Sequence, residues 1–126
     1  MAHWTRYFEN VSGTGKGQLD LALCKGPRGE CPRRVVGIYP QANTSGTGVR
    51  LTMTEANGQQ VVTGLALTQV PDQAIYDGAT LKNSQGAFFP LDYVIHDPHD
   101  GQLYFTASVT TVVCYGHVHF TDEAYP

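Results

Sequence analysis

Charge is what this sequence has least of. Only 15% of its residues are Asp, Glu, Lys or Arg, where an average soluble domain carries about 25%. The surface must therefore be built largely from Thr, Ser, Asn, Gln and Gly. Neutral polar groups give up less hydration than ions when they are covered, so such a surface suits contact with other subunits. Long apolar runs are also absent. None approaches the ~20 residues of a membrane-spanning helix. The amino-terminal MAHWTRYFEN has no apolar segment of the kind a secretory signal contains. The expectation is synthesis in the cytosol, with a virion as one destination and no membrane partner. Helix-favouring runs of Ala, Leu, Glu and Lys are missing too. There are three cysteines, and an odd count excludes a complete disulfide framework.

What is present has the period of β-strands. Leu91, Tyr93 and Ile95 fall on one face of an extended segment, as do Leu19, Leu21 and Leu23. Val49, Leu51 and Met53 make a third such face. Val109–Tyr115 is almost wholly β-branched or aromatic, which suits a pleated surface, and His117-Val118-His119-Phe120 alternates again. Turn signals separate these runs: QANTSGTG over 41–48, Asn57-Gly58, PDQAIYDG over 71–78, Asn83-Ser84-Gln85-Gly86, and Asp97-Pro98-His99-Asp100-Gly101. The spacing predicts about nine short strands in one domain over residues 1–126. The class is all-β: an antiparallel β-sandwich or jelly roll, or a small barrel. Gln18–Cys24 and Arg33–Tyr39 read as a hairpin whose basic loop is bracketed by Cys24 and Cys31, a placement that makes these two a disulfide candidate. At 126 residues, 41% hydrophobic and net charge −3, the chain is globular and buries about two thirds of its unfolded surface.

The charges are unevenly spread. Residues 1–50 hold seven Lys or Arg against three Asp or Glu, a net of +4; residues 51–126 hold Lys82 against eight acids, a net of −7. Two poles of opposite sign favour head-to-tail association, unless strands from the two halves interleave and cancel the asymmetry. Lys25, Arg28, Arg33 and Arg34 gather at the basic loop. With Trp4, the one tryptophan, they form a candidate protein interface for a second copy or an acidic neighbour. Nucleic acid is not the expected partner, because the net charge is negative and no aromatic platform is interleaved with these cations.

Catalytic motifs are few. GTGKG over 13–17 fails as a phosphate loop, since Asn10 stands where the first Gly belongs and Gly17 follows Lys16. No serine sits on a strand-to-helix turn. His117-x-His119 followed by Glu123 is a candidate set of metal ligands, because two His at i and i+2 share a strand face. This spacing resembles the first half of the cupin metal motif. The resemblance implies a β-barrel holding one divalent transition metal; in this chain His96 or His99 would have to supply the fourth ligand. Cys24, Cys31, Cys114 and His117 offer a second, zinc-like set, and Asp97 with Asp100 a sparse calcium set.

Together these features point to a non-enzymatic structural or assembly protein without a cofactor. The expected form is a homo-oligomeric β-domain in a repetitive lattice, such as a viral capsid decoration or minor virion protein. The alternative is a small-ligand β-barrel. It would be either a metal enzyme on His117, His119 and Glu123 or a carbohydrate-binding module using Trp4, Tyr93 or Tyr104.

Overall fold

The computed structural model describes residues 2–10, 14–42, 50–66, 76–77, 80–81, 88–108, 110 and 113–124. The turn at 83–86, most of the stretches over 41–48 and 71–78, and Val49, Val109, Thr111 and Val112 of the expected strands lie outside these residues. The described residues are all-β, with ten strands and no α-helix. The strands are β1 (His3–Glu9), β2 (Lys16–Asp20), β3 (Arg34–Ala42), β4 (Arg50–Glu55), β5 (Gln60–Ala66), β6 (Tyr76–Asp77), β7 (Thr80–Leu81), β8 (Phe89–Val94), β9 (Gln102–Ala107) and β10 (Cys114–Thr121). Eight of them form two antiparallel sheets of four, ordered β1-β10-β3-β8 and β2-β9-β4-β5, and β6 pairs with β7. Among the described residues the sheets do not close into a barrel.

Both sheets turn one face to a single buried cluster. The first contributes Trp4, Phe8, Val35, Ile38, Val118 and Phe120. The second contributes Leu51, Met53, Leu103, Phe105 and Ala107. Phe8 of β1 and Phe105 of β9 stack across the gap, with centroids 4.3 Å apart and planes within 9°. Alternation along each strand produces this division. In β4, for example, Leu51, Met53 and Glu55 are buried while Thr52 and Thr54 are partly exposed.

Asn57-Gly58 makes the expected hairpin. Gly58 takes φ +90°, its N–H donates to the Glu55 carbonyl, and the Asn57 side chain accepts from Gln59 N–H. β4 and β5 pair on either side of it.

The expected hairpin around Cys24–Cys31 does not form. β2 stops at Asp20, whose carboxylate caps a 3₁₀ turn over Leu21–Leu23, and β2 pairs with β9 while β3 pairs with β10 and β8. The segment between the two cysteines therefore crosses from one sheet to the other. Trp4 fastens it, donating from Nε1 to the Cys24 carbonyl at 2.9 Å. The turn at 97–101 is likewise an arch between sheets, closed by Gly101 N–H on the Asp97 carbonyl.

Replacing Phe105 by Ala removes one ring of the inter-sheet stack and leaves a cavity. Equilibrium denaturation is expected to show a loss of about 3–5 kcal/mol.

Candidate functional site

Glu55 is the third member of the buried series Leu51, Met53, Glu55, and only 3% of it is exposed. A carboxylate at the end of a core face needs donors. Tyr93 OH donates to Oε1, His96 Nδ1 lies 2.9 Å from Oε1, and the backbone N–H groups of His96 and Asp97 donate to Oε2 at 2.8 and 3.1 Å. Burial pushes the Glu55 carboxyl up, but the bonds from Tyr93, His96 and Asp97 outweigh it and hold the group below its ordinary value. Burial and the neighbouring carboxylate raise the Tyr93 phenol. His96 itself is more than half exposed.

The same turn carries His99. Its Nδ1 lies 3.4 Å from Cys31 Sγ, and Lys25 Nζ lies 3.5 Å from that sulfur. Cys24 and Cys114 are buried instead, and burial pushes each thiol up to about 11. All three cysteines are free, so the Cys24–Cys31 disulfide is absent. Cys24 faces the core beneath Trp4, whereas Cys31 turns to His99.

The outer face of the first sheet is a field of aromatic and imidazole rings. Strand register places Tyr7, His117 and Tyr39 in one row and Thr5, His119 and Gly37 in the next. Tyr7 meets Tyr115 and His117 at centroid distances of 6.3 and 5.6 Å. The Phe88 ring lies over Gly37, where a Cβ would fall 2.1 Å from it, and it meets Tyr39 and His119. His3 Nδ1 lies 3.1 Å from His119 Nε2. Burial, and then the His3 ring, lower the His119 pKa and so favour its neutral imidazole. Among the described residues of this face, charge lies toward the strand ends: Glu9, bonded by Tyr7 OH, and the ion pair of Arg34 with Asp92 at 3.0 Å.

These placements settle which sequence candidates come together. His117 and His119 share the outer face of β10, but Glu123 lies beyond the strand end at Thr121 and does not join them. Among the described residues no three His, Cys, Asp or Glu side chains converge to hold a metal ion. The same holds for Cys24, Cys31, Cys114 and His117, divided between core and surface. It holds too for Asp97 and Asp100, where Asp97 Oδ1 accepts from Asp100 N–H. Trp4 is buried and Arg34 is paired, which leaves Lys25, Arg28 and Arg33 of the interface candidates with surface exposure. The strand orders place first-half strands beside second-half strands, so the charge asymmetry of the sequence does not divide one sheet from the other.

No family model, no curated protein and no solved structure matches the chain.

Glu55→Gln is expected to cost about 1–3 kcal/mol, because it weakens a buried acceptor of several donors. The folded-state pKa of Glu55 lies below its ordinary 4.5. Its stabilising contribution is therefore complete above that value and is lost as pH falls through the lower, folded value. Denaturation measured against pH is expected to show a shallower acid decline for Glu55→Gln than for the wild type.

Proposed function

We propose that this chain is a non-enzymatic structural domain that assembles with copies of itself in a repetitive array, such as the decoration or minor protein of a viral capsid. The observation that carries the reading is the outer face of the first sheet. Tyr7, Tyr39, Phe88, Tyr115, His117 and His119 sit together there, with charge among the described residues of the face only toward the strand ends, and Tyr7 and Phe88 are 49% and 39% exposed. Interface cores are enriched in aromatic residues and depleted of Lys, Glu and Asp. Tyrosine also gives up little conformational freedom when it is covered. The strand orders support a two-sheet jelly roll, an architecture that viral capsid and lectin domains use. Lys25, Arg28 and Arg33 lie outside this face and suit contact with an acidic neighbour.

A second reading rests on a different feature. An open cleft of about 700 Å³ is lined by Glu9, Thr14, Lys16, Gly17, Gln18 and Tyr104, and Tyr104 is 39% exposed. A ring beside amide, carboxylate and ammonium groups suits a neutral saccharide. Of the other aromatic candidates, Trp4 is buried and Tyr93 is bonded to Glu55.

Light scattering over a range of protein concentrations tests the first reading. The wild type is expected to associate, with no change on adding EDTA, and the pair Tyr7→Asp and His117→Asp is expected to weaken association by about tenfold or more. A monodisperse monomer at every concentration rejects self-assembly. For the cleft, a glycan array followed by calorimetry decides: binding that Tyr104→Ala abolishes would favour the saccharide reading.

A further inference from the structure

We propose that the His3–His119 pair on the outer face of the first sheet is a pH gate on the contact between copies: the contact holds while His119 is neutral and is released when His119 takes a proton. This gate rests on the assembly reading of that face, to which it adds regulation.

His119 lies in the middle of the face. Register places it between Thr5 of β1 and Gly37 of β3, and the Phe88 ring stands 6.3 Å away by centroid. His3 meets it edge to face, with centroids 5.2 Å apart, and His3 Nδ1 lies 3.1 Å from His119 Nε2. One proton serves that contact, because one nitrogen must accept what the other donates. The second nitrogen of His119, Nδ1, is buried and has no hydrogen-bond partner. An N–H there would be a buried donor without an acceptor. The arrangement that avoids this has His119 donate from Nε2 to His3 and leaves Nδ1 bare. An imidazolium carries a proton on both nitrogens, so charging His119 creates the unpartnered donor. Burial, and then the His3 ring, hold the His119 pKa below its ordinary 6.5.

The groups around His119 do not offset such a charge. On β1 they are His3 and Tyr7, on β10 Tyr115 and His117, and on β3 Tyr39. Glu9 and the Arg34–Asp92 pair lie toward the strand ends. Asp122, past the end of β10, accepts from the Ala2 amide and acts on His3. A second copy laid on this face removes the solvent that His119 still sees, which makes a charge there costlier. Linkage sets the sign. Association is at full strength above 6.5 and weakens as pH falls through the lower value of the free copy.

Light scattering at about pH 7.5 and about pH 5.5 tests the gate, across the range in which histidine titrates. The lower pH stays above the range in which Glu55 loses its charge, and circular dichroism at both values checks that the fold is kept. Association of the wild type is expected to weaken by about tenfold at the lower pH. The double variant His3→Gln with His119→Gln cannot take up these protons and is expected to associate equally at both. Titration of the imidazole ring signals by NMR in dilute wild type reads His119 directly, with an expected midpoint below 6.5. A midpoint at or above that value overturns the gate however the variant behaves. Equal association of the wild type at both pH values overturns the gate and leaves the assembly reading standing. A loss that persists in the double variant assigns the titration to another group and has the same effect. A monomer at both values rejects the assembly reading and the gate with it.

Discussion

At the end of β4 a carboxylate stands where the core pattern calls for another apolar side chain, and the surrounding chain is arranged to satisfy it. Glu55 belongs to the second sheet. Its donors come from Tyr93 at the end of β8, in the first sheet, and from the turn that follows. A buried charge is costly to leave without its donors, so the network ties the arch to the end of β4. The arch in turn presents His96 to solvent and His99 to Cys31. The placement of His99 beside Cys31 therefore depends on an acid that touches neither of them.

The opposite constraint governs the first sheet. Its inner face is sealed by Trp4, Phe8, Val35, Ile38, Val118 and Phe120, and its outer face repeats large rings on alternate residues of the same strands. A strand with bulky groups on both faces is normally covered on both. Gly37 is where the two requirements meet. With no side chain there, the Phe88 ring can close on the strand beside His119 and Tyr39. A β-carbon at that position would lift the ring and break the continuity of the surface.

Strand faces were legible in the sequence, and strand partners were not. Alternation located β4 and the His117–Phe120 part of β10 and sorted their buried residues, because burial on one side is what period two records. It could not show that β1 lies between solvent and β10, or that Cys24 and Cys31 flank a crossing between sheets. Neighbours in these sheets are mostly far apart in the chain, and β2–β3 looked like a hairpin only because the two runs are adjacent. Glu55 had a visible signal, since it continues the series Val49, Leu51, Met53 by two more residues. The meeting of Cys31 with His99, 68 residues apart, and of His3 with His119 had none. Such pairs are created by the order of strands, which the period of side chains does not encode.

The pairing of β1 with β10 has a topological consequence. Register sets His3 opposite Thr121, and the Ala2 amide donates to Asp122 Oδ1 at 2.8 Å. Residues 2 and 122 thus occupy one corner of the molecule, while the Asn57-Gly58 turn projects with open space around Gly58. A short linker joining those ends, with the chain reopened at Asn57-Gly58, would leave every strand ladder intact. The order of the strands along the chain is then separable from the order of the strands in space.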